Sequence, residues 1–341
     1  IKNSAADLAT VPKGLAGITK AHSAVNATPW AFISLALAMM MGTASLPHVM
    51  MRYFTTPSVK AARKSVGWSL FFIFLLYSSA PMLATLSKLS LIDPTLPTGI
   101  IGKSFAEVQA LSWFQNWNSA NLMFISDFNG NGTLELNEFF MGGKAVVLAT
   151  PEIAGLPYVI SGLVAAGGMA AAMSTADGLI LAIANAISHD VYYKMIDPKA
   201  ETAKRLLVAR VLLVVIGFAG ATIAAMEIQG ILGSVIWAFD FAMSGLFFPL
   251  VLGVWWKRAN REGAVAGMVL GLGSAIWYLV WVRTGGSGFL GLTQLTFGIF
   301  GAAVSCIAMV VVSLMTSAPE AAIQKMVDEV RIPSGRTVTG K

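Results

Sequence analysis

The chain has 341 residues, 56% of them hydrophobic and only 12% charged, with a mean hydropathy of +0.72. A soluble domain carries about 25% charged residues, so this chain has roughly half the charge that a water-facing surface needs. Composition excludes a soluble globular enzyme and a disordered chain, and the single cysteine, Cys306, excludes a disulfide scaffold. The class that remains is an all-α, polytopic membrane protein.

A helix that crosses hydrocarbon needs about 20 mostly apolar residues. Seven segments meet that requirement, at 30–51, 66–87, 156–188, 205–226, 230–255, 263–282 and 290–316. Residues 1–29 hold no apolar run suited to a signal peptide and begin with Ile1, so the chain is expected to be part of a longer protein.

The net charge of +6 comes from cations placed between apolar runs, where they set topology and do not indicate nucleic acid. Sixteen of the 23 Lys and Arg residues fall on one side of a strictly alternating topology: Arg52 to Lys64, Lys194 to Arg210, Lys257 to Arg261 and Lys325 to Lys341. Seven, including Lys2, Lys88, Lys144 and Arg283, fall on the other. Cytoplasmic loops are the Lys/Arg-rich ones. The expected arrangement is an external segment 1–29, a transmembrane hairpin 30–87, an external insertion 88–155, spans over 156–255, two more spans over 256–316, and a cytoplasmic tail 317–341. The expected setting is a bacterial inner membrane.

The first span closes on Gly42-Thr43-Ala44-Ser45-Leu46-Pro47-His48, where proline leaves one helix carbonyl unbonded. His48 there, and His189 farther on, read as interfacial residues. In the insertion, Gly99 to Ser104 is no phosphate loop, because Pro97 stands where the first glycine is required.

The sharpest local motif runs from Asp127 to Glu138. It fits the EF-hand pattern D-x-[DN]-x-[DN]-G-x₅-E without a gap. Calcium requires oxygen ligands from loop positions 1, 3, 5, 7, 9 and 12, with glycine at position 6 for the sharp turn. Asp127, Asn129 and Asn131 supply side-chain oxygens, Thr133 a backbone carbonyl, Glu135 a water-mediated contact and Glu138 a bidentate carboxylate. One such loop predicts an external calcium staple and not a helix-opening sensor.

In the third span, Ala171, Ser174 and Thr175 recur at i, i+3 and i+4, and so share one helix face. Their hydroxyls offer oxygens to a small hard cation, or bond back to the helix as membrane serines and threonines do. Asp177 and Asp240 are carboxylates within apolar spans, which mark an internal polar path. In the sixth span Gly263, Gly267 and Gly271 recur every fourth residue, the pattern of close helix packing.

Four stretches together resemble the sodium/solute symporter family. They are Leu46 to Tyr53, Met173-Ser174-Thr175, Ser188 to Tyr192, and Trp256 to Gly263. The run Met51 to Arg63 is similar to the cation/acetate branch. The resemblance implies a longer transporter of about thirteen spans with inverted repeats, a leucine-transporter-like bundle, of which this chain is the C-terminal portion. It implies that the first five spans form the second repeat, that the N-terminal repeat is missing, and that Ala171, Ser174 and Thr175 bind sodium. Relatives that carry proline place aromatics in the middle of the first span, where this chain has Met39 and Thr43. That difference favours a smaller carboxylate.

The expected activity is sodium-coupled symport of acetate or a similar short monocarboxylate. Its partners are a small solute, the bilayer and the missing repeat. A symporter for another small organic solute and a calcium-responsive receptor are the alternatives. Neither Gly-x-Ser-x-Gly nor His-Glu-x-x-His occurs, so no enzymatic activity is expected.

Overall fold

The computed structural model describes residues 29–330, except 227 and 229. The expected external segment 1–29, apart from its last residue, and the end of the tail beyond 330 lie outside the described residues. Six described helices are long and apolar enough to cross a membrane, seven if one bent pair is counted as a single span. The only strands among the described residues are two of three residues each. The polytopic helical class expected from composition is the one observed. The described residues divide into two compact units, one holding 64–174 and the other 29–63 with 175–330.

In the second of these units, the first span is a broken helix. Helix α1 (Pro29–Ser45) and α2 (Pro47–Met50) meet at a bend of 47°, followed by a 3₁₀ turn, Met51–Thr55. Pro47 explains the break, because a proline disfavours helical backbone in the residue before it, and Leu46 is extended at ψ 118°. The Ser45 hydroxyl donates to the carbonyls of Met41 and Gly42, and Thr43 donates to Met39, so the helix end is partnered from within.

Helix α3 (Val59–Ile92) is 34 residues long, well beyond the expected 66–87. At about 1.5 Å per residue it exceeds the thickness of a bilayer core, so its ends project beyond hydrocarbon. Pro81 lies inside it, and the Thr85 hydroxyl donates to the Pro81 carbonyl.

Residues 88–155 build a small core of their own. Ile100, Val108, Phe114, Met123 and Leu134 are buried in it with Leu91 and Ile153. Around it stand α4 (Phe105–Gln109), α5 (Ser112–Ser119), an antiparallel hairpin of β1 (Met123–Ile125) and β2 (Phe139–Met141), and α6 (Val146–Ile153). The Ser104 side chain caps α4 by accepting the Glu107 amide. Phe124 and Phe140, directly opposed in the hairpin, stack with centroids 4.6 Å apart.

The third span is α7 (Tyr158–Asn185), which continues as a π-helix, Ala186–Ile196. Helix α8 (Thr202–Ala225) follows a short turn. In that turn Asp197 accepts hydrogen bonds from Lys204 Nζ at 3.0 Å and Tyr192 at 3.4 Å. The Lys204 bond holds the Asp197 carboxyl below the ordinary carboxylate range.

The fifth span matches its expected bounds, as α9 (Ile231–Ala242), a π-turn (Met243–Phe247) and α10 (Phe248–Trp255). Helix α11 (Arg261–Arg283) starts at Asn260, whose side chain accepts the Gly263 amide. The last span is shorter than expected. Instead of starting at 290, α12 is Gly298–Met315, preceded by a 3₁₀ turn, Phe289–Gly291. The cause is local: Thr296 Oγ1 accepts the Thr293 amide and Thr293 Oγ1 accepts the Leu295 amide, which competes with helical bonding. Arg258 donates to the carbonyls of Leu314, Thr316 and Ser317, covering the open end of α12. Within the expected tail, α13 (Ala321–Val330) is tied back by an ion pair of 2.7 Å between Lys257 and Asp328.

The tightest packing is between α11 and α12. A Cβ placed on Gly263 would overlap Ser313, and one on Gly271 would overlap Ser305 and the Ser244 carbonyl. On Gly267 it would sit 3.1 Å from Met309 Cβ. The glycine spacing therefore allows the contact expected of it.

Gly271→Ala should force these helices apart at a cost of about 1–3 kcal/mol, lowering the melting temperature of the solubilised protein. Gly273→Ala, which meets open space, should leave it unchanged. For the α7–α8 turn, a lowered folded pKa gives stability that is complete above the ordinary carboxylate value of about 3.9 and lost as pH falls through the folded value. Asp197→Asn should lower the melting temperature at neutral pH, and the difference from wild type should close on acidification.

Candidate functional site

Helix α7 carries Ala171, Ser174 and Thr175 on successive turns of one continuous helix. All three are exposed in this chain, as is Asp177. Three residues beyond Thr175, Gly178 is buried beneath the other half of the broken first span. A Cβ there would lie 3.5 Å from an Arg52 guanidinium nitrogen and 3.7 Å from His48 Cβ. His48 Nδ1 is buried with no hydrogen-bond partner among the described residues. The break at Pro47 thus turns His48 and Arg52 toward α7. Sequence reasoning placed His48 at an interface and missed this contact, although Pro47 and Gly178 together are its signal.

Asp240 is placed quite differently from Asp177. It lies on α9 at 0% exposure, and neither carboxylate oxygen has a hydrogen-bond partner of good geometry. Its side chain abuts Gly298, the first residue of α12. One turn on, the Ser244 hydroxyl donates to the carbonyls of Asp240 and Gly298, joining α9 to α12. A charged carboxylate buried without a donor is costly. The start of α12 offers it partial compensation, since backbone N–H groups at a helix N-terminus favour negative charge.

The loop Asp127 to Glu138 has a continuous internal hydrogen-bond network. Asp127 accepts the amides of Gly130 (2.7 Å) and Gly132 (3.1 Å), Asn129 Oδ1 that of Asn131, and Asn131 Oδ1 that of Thr133. Glu135 accepts from the side-chain amides of Asn129 and Asn131. Glu138, fully buried, accepts the amides of Phe128 and Glu135. Gly132, at the turn position, has φ +71°, which explains the need for glycine there. Leu134 is buried in the local core, and its amide and carbonyl pair with Lys103 and Gly102. Five of the six residues proposed from the motif are bonded to one another in this loop, and Asp127 holds the two glycine amides. Among the described residues no three His, Cys, Asp or Glu side chains gather closely enough to hold a metal. A cation in this loop would also need the amide oxygens of Asn129 and Asn131 and a backbone carbonyl.

The long apolar helices, the broken first span and carboxylates within spans define a polytopic α-helical membrane protein. The family model described as Sodium:solute symporter family matches residues 144–271, which include α7, α8 and α9. The resemblance read from the motifs thus holds across the segment that carries Ser174 and Thr175. An "Uncharacterized symporter" from Cupriavidus necator is 42% identical over 310 residues, covering 88% of this chain and 44% of the relative. A "Monocarboxylic acid transporter" from Corynebacterium glutamicum is 28% identical over 257 residues, covering 75% of this chain and 39% of the relative. The chain spans less than half the length of these curated relatives.

Proposed function

We propose that this chain is the C-terminal portion of a sodium-coupled symporter for acetate or a similar short monocarboxylate. The observation that carries the reading is the family match over 144–271, which covers the helix bearing Ala171, Ser174 and Thr175. The relative from Corynebacterium glutamicum, named for monocarboxylic acids, favours the substrate class. The topology proposed with it puts the Lys/Arg-rich side in the cytoplasm of a bacterial inner membrane, with residues 88–155 outside.

In this mechanism the Ser174 and Thr175 hydroxyls and the Ala171 carbonyl replace part of sodium's hydration shell. The remaining oxygens come from the first repeat of the longer transporter. Alternating access then rocks one repeat against the other around a midplane site. Asp177 and Asp240 line the internal polar path. As a separate element, the loop Asp127 to Glu138 holds calcium outside the cell. With three carboxylates and an external setting, its affinity falls at about 10⁻⁴–10⁻³ M.

Sodium coordination separates from helix packing by magnitude. Side-chain hydrogen bonds within membranes average about 0.6 kcal/mol, so a purely structural hydroxyl is replaceable by alanine at small cost. Ser174→Ala and Thr175→Ala in the complete transporter should each raise the half-saturating sodium concentration for uptake about tenfold or more, equivalent to about 1.4 kcal/mol. Unchanged sodium dependence in both variants, at equal membrane expression, would return these hydroxyls to packing. For the external loop, millimolar calcium should raise the melting temperature over that in chelator, and Glu138→Gln should remove most of the difference. Identical melting curves with and without calcium in wild type would dismiss the calcium site.

A further inference from the structure

A cavity of about 230 Å³ opens between the π-helical end of the third span and the start of α8. Its lining includes Asn185, Ser188 and His189 from one side, and Thr202, Arg205 and Leu206 from the other. π-helical turns are rare and occur often at functional sites. Here the wider turn carries Ser188 and His189 toward the first turn of α8.

The charges around the cavity are mostly paired with one another. Asp190, which is exposed, is held by His189 at 3.0 Å and by Lys194 at 3.2 Å. Asp197 is held by Lys204 and Tyr192. Glu201, the residue before α8, makes no side-chain cap to the helix. The exception is Arg205. Its guanidinium carbon lies 3.7 Å from the centroid of the Tyr193 ring, and it has no carboxylate partner among the described residues. A cation–π contact of this kind leaves the guanidinium N–H groups able to donate. Ser188 is only 6% exposed and lines the cavity. A hydroxyl in that position can donate to, or accept from, a polar group that enters.

Such a set of donors matches a phosphate oxyanion. A guanidinium fork binds phosphate through two parallel N–H bonds, and the uncapped start of a 24-residue helix adds backbone donors. The surroundings identify the source. Leu206 lines the cavity, and Leu207, Met195 and Ile196 are 61%, 76% and 68% exposed beside it. An acyl chain would cover such a surface, whereas a soluble anion would leave it bare. Basic pockets between membrane helices bind anionic lipid headgroups for the same reasons. We propose that the cavity at Ser188 and Arg205 is a binding site for the phosphate of an anionic phospholipid, seated where the third and fourth spans leave the membrane.

The test is lipid binding to the complete, delipidated transporter, read by native mass spectrometry. The probes are phosphatidylglycerol, phosphatidylcholine and inorganic phosphate. Wild type should retain phosphatidylglycerol in preference to phosphatidylcholine. Arg205→Ala should weaken phosphatidylglycerol binding at least tenfold, and Ser188→Ala, a smaller change that spares the fold, about threefold. Lys199→Ala removes the same charge from an exposed position outside the cavity and should leave binding unchanged. Equal retention by wild type and both cavity variants would overturn the proposal, as would equal retention of the two lipids. Displacement of phosphatidylglycerol by millimolar inorganic phosphate would overturn the lipid assignment and leave a free-phosphate site.

Discussion

A peptide group carried into hydrocarbon must bring its hydrogen-bond partner with it, because no water is present to supply one. Two departures from regular helix among the described residues are arranged around that requirement. At Pro47 the helix stops, and the hydroxyls of Ser45 and Thr43 take up carbonyls of the preceding turn. At Pro249 the chain loses an amide, and the five residues before Phe248 widen into a π-turn in which Ser244 bridges the carbonyls of Asp240 and Gly298. Within α3, the Thr85 hydroxyl donates to the Pro81 carbonyl one turn before it. These hydroxyls allow bends within spans, and bends are what let a side chain such as His48 or Arg52 approach a neighbouring helix.

Close approach is the second half of the arrangement. Hydrocarbon gives helices no hydrophobic reason to associate, so contact relies on packing and interhelical polar contacts. Gly263, Gly267 and Gly271 bring α11 against α12 so closely that Ser305 and Ser313 have no room for another atom. Asn260 and Arg258 fasten the same pair at one end through Thr316 and Ser317. This pair is a rigid support beside α9 and its buried Asp240.

The spans were largely legible in the sequence because their cause is additive: enough apolar residues in a row make a crossing helix whatever its neighbours. Thus 230–255 and 263–282 lie within two residues of Ile231–Trp255 and Arg261–Arg283. Hydropathy does not report how far a helix runs past the bilayer, so α3 extends from 59 to 92 around an expected 66–87. Nor does it register hydroxyl-to-backbone competition, which shortens the last span at Thr293 and Thr296. The turn at 127–138 was readable because its side-chain hydrogen bonds close within the loop itself. The contrast between a buried Asp240 and an exposed Asp177 was not, since both sit in equally apolar runs and only tertiary packing separates them. The cavity at Ser188 and Arg205 escaped for a related reason: its halves lie on two elements joined through a π-helical turn that no periodicity announces.

In the proposed function, ion and solute move together through a site completed by α7. The most direct measurement is uptake of labelled acetate by the complete transporter in proteoliposomes, with an inward sodium gradient and no pH gradient. Acetate should accumulate above the external concentration, and the accumulation should collapse when sodium is equalised by an ionophore. Accumulation that follows an imposed proton gradient and ignores sodium, or acetate that only equilibrates under a sodium gradient, would contradict it.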